Sequence, residues 1–331
     1  MQAYAVPGVY LEDFRAVRRK EMPTAVPIFL GYVRRNEATP YVFMHWAEFA
    51  TRLGEPLEHG YLAYAVRGFF ENGGKLCYVV PLSTSGKPEE ALRAALRQAR
   101  KLEEPDLLCA PDLMITSSGE ARHEHAVRNL QAILLHPEPE QAEDARRFVI
   151  LDSLPNANPV DERKHCAGLL EAARSRGASK AELAGAALYY PWVAVPHLQG
   201  KSEPPAIGES VPTVVVPPCG HVAGIYARTD ASAGISKAPA NEALHGVLDL
   251  SVHLSDSDQA GFFVLDGGDG TPTPPGAVNS LRAFPGRGIR VWGARTLATD
   301  PTWRYVNVRR LFLTAIRWME RYMAALVLRT A

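Results

Sequence analysis

The sequence predicts an α/β fold built on a mostly parallel sheet with helices on both faces. Short, continuously apolar runs such as 76–81 and 148–152 are typical of strands buried on both sides. These runs alternate along the chain with amphipathic segments of helical period such as 88–102, and that alternation favours parallel strands joined by helices. The 331 residues, 47% of them hydrophobic, are enough to bury a large core.

The elements follow in chain order. Residues 1–22 contain a Pro-Gly turn and a short β-prone run, which predict an extended N-terminal arm because proline cannot donate to a sheet ladder. In the body, residues 23–305, strands are predicted at 25–33, 76–81, 106–110, 148–152, 186–195, 213–216 and 288–293. Helices are predicted at 46–53, 63–71, 88–102, 121–135, 160–176, 220–228 and 240–250. Glycine-rich and proline-rich stretches predict a loop-rich second half.

The last element, residues 308–328, has the pattern of an amphipathic helix. One face carries Leu311, Phe312, Ala315, Ile316, Met319, Tyr322, Met323 and Leu326. The opposite stripe carries Arg310, Thr314, Arg317 and Arg321, and the usual rule predicts that this stripe faces solvent.

Composition and charge argue against several classes of protein. Lys+Arg and Asp+Glu both total 36, so there is no basic excess of the kind that marks a nucleic-acid surface. The arginines of residues 304–310 are interleaved with apolar residues, which favours an interfacial stripe. No run approaches the roughly 18 apolar residues of a membrane span, and no secretory signal is visible, so a cytoplasmic protein is predicted.

The sequence gives little support for catalysis. Asp152 ends an apolar strand, where α/β enzymes often place a carboxylate, and Asp106 and Asp112 flank the preceding strand. No nucleophile motif or phosphate loop accompanies them, and His123 and His125 are spaced two apart, which does not suit a shared metal. We therefore predict no enzyme activity, cofactor or metal, and keep an enzyme using Asp152 as the alternative.

Several segments together resemble the tail sheath proteins of contractile phages and of extracellular contractile injection systems. They are PGVYLE at 7–12, FFENGG at 69–74 with CYVV at 77–80, YYPW at 189–192, PPCGHVAGIYARTD at 217–230, KAPAN at 237–241, FPGRGIRVWGARTL at 284–297 and WRYVNVRRLF at 303–312. Pro81 and Ser236 depart from the family, which usually has arginine and tryptophan there. The resemblance spans residues 7–312 in order.

The resemblance implies a structural subunit that assembles helically around an inner tube and drives the tube by contraction. Other sheath subunits, the inner tube protein and a baseplate are the implied partners, in an assembled tail or injection particle that is a virion if phage-derived. The arm would add a strand to a neighbouring subunit through Val9, Tyr10, Leu11 and Glu12. The most specific motifs supply the candidate inter-subunit residues Arg287, Arg290, Trp292, Arg304, Asn307, Arg309 and Arg310.

The same resemblance implies that residues 306–331 are the first helix of a C-terminal domain of which the rest is missing. In the family, that domain faces the tube and receives the neighbours' arms. We therefore expect this chain alone not to form long sheaths. A regulatory or capping binder of a full-length sheath remains an alternative role. The apolar face of the helix is expected to fold back on the body, pair with another chain or stay exposed.

Overall fold

The main sheet is mixed, with a parallel centre. The computed structural model describes residues 22–34, 40–84, 87–115, 147–175, 180–198, 211–263 and 276–327. The strands are β1 Pro27–Gly31, β2 Tyr41–Phe43, β3 Cys77–Pro81, β4 Leu107–Cys109, β5 Phe148–Asp152, β6 Ala186–Tyr190, β7 Val193–Pro196, β8 Thr213–Val216, β9 Glu242–Ala243, β10 Asp249–Leu250, β11 Val278–Phe284 and β12 Gly288–Val291. In the described part, the order β2-β3-β1-β4-β5-β6-β11-β12-β9 forms one sheet, and β10-β7-β8 forms a second.

Strands β3, β1, β4, β5, β6 and β11 run parallel to one another. At the margins, β2 pairs antiparallel with β3, β12 pairs antiparallel with β11, and β9 pairs antiparallel with β12. The helices are α1 Trp46–Leu53, α2 Leu62–Glu71, α3 Pro88–Arg100, α4 Pro159–Ser175, α5 Lys180–Ala184, α6 Cys219–Ala233, α7 Asp256–Gly261 and α8 Val306–Val327. The predicted mostly parallel α/β fold is confirmed.

Helices cover both faces of the sheet and give it two separate cores. Phe29 of β1 packs among residues of α1, α2 and α6, with its ring 5.9 Å from that of Phe69. Its neighbours Ile28 and Leu30 point to the other face, where residues of α3 and α4 cover them. This alternation follows from the pleat, because successive side chains of a strand point to opposite faces.

Helices α2 and α6 approach so closely that glycine is required between them. A Cβ built on Gly220 would lie 2.1 Å from the carbonyl oxygen of Ala65, which is backbone and cannot move aside. A Cβ on Gly68 would lie 2.5 Å from the ring of His221. The glycines of the 217–230 motif therefore set the spacing of this helix pair.

Several predicted elements need correction. Residues 240–250 do not form a helix: they contain β9 and β10, which pair with β12 and β7. The predicted strand 186–195 is two strands in different sheets. The strands β2 and β11 and the helices α5 and α7 were not predicted. The predicted helix 121–135 and nearly all of the predicted arm lie outside the described residues.

Candidate assembly surface

The strand-end carboxylate Asp152 has a structural task. Its side chain is 3% exposed and accepts hydrogen bonds from the thiol of Cys219 and, at 2.8 Å, from the backbone N–H of Cys219, the first residue of α6. Burial raises the pKa of Asp152 to about 7, against the lowering effect of these hydrogen bonds. The carboxyl group therefore anchors the start of a helix.

The two other carboxylates considered for catalysis also accept hydrogen bonds from backbone N–H groups. Asp106 accepts hydrogen bonds from the N–H groups of Ala25 and Val26, at 3.0 and 2.6 Å. Asp112 accepts three, from the N–H groups of Tyr32, Tyr61 and Leu62. Buried carboxylates in such contacts hold loops and helix starts in place.

The described ranges contain neither a metal cluster nor a membrane-spanning helix. No cluster of three His, Cys, Asp or Glu side chains there could hold a metal ion. None of the helices in those ranges is long and apolar enough to cross a bilayer.

Three of the candidate residues lie at the hairpin β11–β12: Arg287 is exposed at its tip, and Arg290 in β12 and Trp292 just after β12 are half-buried. The Arg287 guanidinium lies 5.5 Å from the ring centroid of Phe284 and 5.9 Å from that of Trp292, which is cation–π geometry. Arg287 also donates to the side-chain oxygen of Asn241 at 2.7 Å, and Arg290 donates to the Asn241 carbonyl oxygen at 2.6 Å. These contacts tie the hairpin to the KAPAN loop and give the tip a fixed shape.

The inner face of α8 contacts the body through the charged side chain of Arg310. Arg310 is 2% exposed and donates two hydrogen bonds to the carboxylate of Asp230 at the end of α6, at 3.0 and 2.6 Å. Asp106 lies 3.8 Å from the same guanidinium, which also sits 4.7 Å from the ring centroid of Tyr226. Burial disfavours the charge, yet the two carboxylates raise the pKa of Arg310.

We call the contacts of Arg310 with Asp230, Asp106 and Tyr226 the seat of α8. The remaining candidate residues lie close to Arg310 in the sequence and contact the body as well. Arg309 lies 5.2 Å from the ring centroid of Trp303, and Asn307 donates to the Ser236 carbonyl oxygen at 2.7 Å. Arg304 is half-buried, and its carbonyl oxygen accepts from the N–H of Thr296 at 2.8 Å. Arg309, Arg310 and Asn307 thus contact their own chain.

The predicted orientation of α8 is wrong at Arg310 and Arg317, which face the body, whereas Arg321 is exposed as predicted. Arg310 and Arg317 are buried, and Arg317 donates to the carbonyl oxygens of Glu103 and Glu104 at 3.0 and 2.7 Å. The apolar stripe faces outward. Its members are between 37% and 61% exposed: Leu311, Phe312, Ile316, Met319, Tyr322 and Met323, joined by Tyr305 and Trp318. We call these eight residues the outer face of α8.

Sequence reasoning missed the partners of Arg310. Asp230 and Tyr226 belong to the motif block 217–230, so the block was noticed, but a pairing with a residue 80 positions away leaves no local pattern.

Comparisons with known proteins point to one kind of assembly. A chain of the anti-feeding prophage (AFP) baseplate structure is 27% identical with a TM-score of 0.65, over 98% of this chain and 77% of that chain. A chain of the AFP helical sheath in the contracted state is 27% identical with a TM-score of 0.64, over 96% and 76%. The contracted PVC sheath complex of an extracellular contractile injection system shares the fold at 24% identity and a TM-score of 0.62, over 98% and 75%. No family model matches the sequence, and no curated protein matches it.

Proposed function

We infer that this chain, which belongs to the contractile tail sheath family, is a structural subunit of a contractile tail or injection apparatus. The observation that carries the inference is the match to AFP sheath and baseplate chains across nearly the whole chain, at 27% identity. The motif residues support it, because they hold the body together at hairpin β11–β12 and at the seat of α8.

The mechanical role follows from how such a subunit must behave. A helical array needs heterologous contacts that do not close on themselves. Contraction then requires bodies that rotate without unfolding, and the two cores and the buried Arg310–Asp230 pair suit a body that moves as one unit. No bond is made or broken in this role, so the subunit acts without catalysis. It is made in the cytoplasm and works in the particle, on an inner tube and a baseplate.

Connection between neighbours is assigned to the arm. Val9, Tyr10, Leu11 and Glu12 lie outside the described residues, and their role remains a proposal from the motif. Strand addition to a neighbour's sheet suits it, because backbone hydrogen bonds persist while the bodies reorient. The rigid tip with Arg287, Arg290 and Trp292 is proposed as a second contact, since arginine and tryptophan are enriched at interface hot spots.

Co-sedimentation tests the assignment. An epitope-tagged chain is expressed in its cell of origin, and contractile particles are isolated by ultracentrifugation and imaged by electron microscopy. We expect the tagged chain in the particle fraction. Replacing Val9 and Leu11 by proline removes two strand N–H groups and is expected to abolish incorporation.

The matched control is Ala3→Pro, which lies in the same segment but outside the proposed strand. It should incorporate as the unaltered chain does. A tagged chain that stays in the supernatant while the particles sediment would contradict the sheath assignment. Full incorporation of the double proline variant would contradict only the arm.

A further inference from the structure

The sequence contains a single Asn-Gly pair, Asn72–Gly73, at the end of α2. Asparagine is a chemically labile residue, and it is most labile before glycine. The reason is that glycine has no side chain to hinder the attack of its own backbone nitrogen on the asparagine amide. In an unfolded chain, this pair is therefore where deamidation is expected first.

The folded chain uses both donors and the acceptor of the Asn72 side chain. Asn72 is fully buried. Its Nδ2 donates to the carbonyl oxygens of Gly68 and His245, at 2.9 and 3.0 Å, and its Oδ1 accepts from the N–H of His245 at 2.8 Å. These three bonds tie the end of α2 to the loop between β9 and β10.

The nitrogen that would attack this amide is also engaged. The Gly73 N–H donates to the Phe70 carbonyl oxygen at 3.2 Å. Gly73 has φ of +106°, and a Cβ built there would lie 2.8 Å from the Cβ of Arg228, so glycine is required. Ring closure needs the Asn72 side chain to leave its three hydrogen bonds and Gly73 to give up its N–H. The folded geometry therefore opposes the reaction.

The product of deamidation does not fit the place that Asn72 fills. A carboxylate there has no donor, so one of its oxygens would face the Gly68 and His245 carbonyl oxygens that the amide now binds. A buried charge in that position is strongly unfavourable, and a protonated carboxyl group supplies one donor where two are used. Isoaspartate would lengthen the main chain beside Gly74, whose Cβ position lies only 2.3 Å from the Phe69 ring.

We propose that Asn72–Gly73 is a deamidation site that the fold keeps closed, and that deamidation of an opened chain prevents the end of α2 from closing again. In the first step, the Gly73 nitrogen bonds to the side-chain carbonyl carbon of Asn72, and the amide group leaves as ammonia with the Gly73 proton. Water then opens the resulting succinimide to aspartate or isoaspartate. One water is consumed for each ammonia released, and no electrons are transferred.

The consequence is a one-way loss of folded chain. Helix ends open locally more often than the whole molecule unfolds, and each opening exposes the pair to hydrolysis. Because the product does not fit, chains that stay open are removed from the folded population. This inference concerns the body of the single chain and goes beyond the structural role proposed above.

Peptide mapping by mass spectrometry tests the protection. The purified full chain is aged in mildly alkaline buffer, with and without enough guanidinium chloride to unfold it. We expect deamidation of Asn72 to be at least ~100-fold slower in the folded chain, because only its small open fraction reacts. Asn241, which is exposed and precedes Glu242, is the internal control and should change little in either sample.

Gel filtration tests the consequence. The unaltered chain is aged in buffer at a temperature within its unfolding transition, and the folded and unfolded fractions are then mapped separately. Deamidated Asn72 is expected in the unfolded fraction and not in the folded one.

A pair of variants tests the product directly. Asn72→Asp introduces the product and should shift the denaturation midpoint to lower urea. The matched control Asn241→Asp keeps the acceptor that Arg287 uses at an exposed residue, so its midpoint should stay that of the unaltered chain. The ageing experiments use the unaltered chain, so they decide the question even if Asn72→Asp does not fold.

Four outcomes overturn the proposal: no deamidation of Asn72 in the denatured chain, equal rates with and without denaturant, deamidated Asn72 at equal abundance in the folded and unfolded fractions, or Asn72→Asp as stable as Asn241→Asp. Each leaves the co-sedimentation result untouched, so failure of this inference and failure of the sheath assignment are distinguishable.

Discussion

His221 is a titratable side chain that the fold keeps uncharged. It is 1% exposed at the start of α6, flat against Gly68 of α2. Burial, with a smaller contribution from Arg67, lowers the pKa of His221 from 6.5 to about 4. Its protonation must therefore couple to unfolding.

The coupling makes the folded chain less stable as the pH falls. Between pH 6.5 and about 4 the unfolded chain binds a proton at this residue and the folded chain does not. Stability from neutral His221 is present above pH 6.5 and is lost as the pH falls towards 4. At ~1.36 kcal/mol per pKa unit, the loss reaches about 3 kcal/mol.

We predict that His221→Asn lowers the free energy of unfolding at pH 7 and abolishes the part of the acid-induced loss of stability that His221 causes. Relative to the unaltered chain, the variant should lose about 2 kcal/mol less between pH 7 and pH 4.5 in urea titrations. Burial raises the pKa of Asp112 to about 6 and that of Asp152 to about 7, so both carboxyl groups stabilise the folded chain as the pH falls. Both groups are present in the variant and in the unaltered chain, so their contributions cancel in the comparison. The control His59→Asn removes an exposed histidine and should leave the pH dependence of stability unchanged. If the free energy of unfolding of His221→Asn changed with pH in parallel with that of the unaltered chain, the prediction would be refuted.

At the scale of single residues, sequence reasoning identified the types but not the roles. Asp152 was recognised as a carboxylate at a strand end, which is a local pattern. Its partner Cys219 lies 67 residues further along the chain, so the anchoring of α6 could only be seen in three dimensions.

At the scale of elements, α8 is the clearest divergence between pattern and packing. Its existence was predictable, because a period near 3.6 over some twenty residues is a strong signal. Its orientation was not, because the rule that apolar stripes face the body fails when the body supplies Asp230 and Asp106 for Arg310. Local patterns also misjudged 240–250, whose Asn241 has φ of +59° and whose backbone pairs with β12.

The seat of α8 gives the second prediction. Arg310→Met leaves Asp230 and Asp106 buried without their cation and should lower the free energy of unfolding by about 3–5 kcal/mol. The double variant Arg310→Met/Asp230→Leu should recover part of that loss, because the uncompensated Asp230 charge is gone and both replacements are apolar.

Chemical denaturation of the four proteins of this cycle measures the coupling between the two residues. Arg321→Met is the control, since it removes an exposed arginine from the same helix and should change stability by less than about 0.5 kcal/mol. Equal effects of Arg310→Met and Arg321→Met would mean that the buried pair does not hold the helix.

At the scale of the whole molecule, the parallel centre was predictable and its margins were not. Strands β1, β3, β4, β5 and β6 are continuous apolar runs, a signal carried by each segment alone. Strand β11 was missed because it buries Asn279 and Ser280. Asn279 is satisfied by donating to the Leu188 and Arg295 carbonyl oxygens, contacts that the segment itself does not reveal.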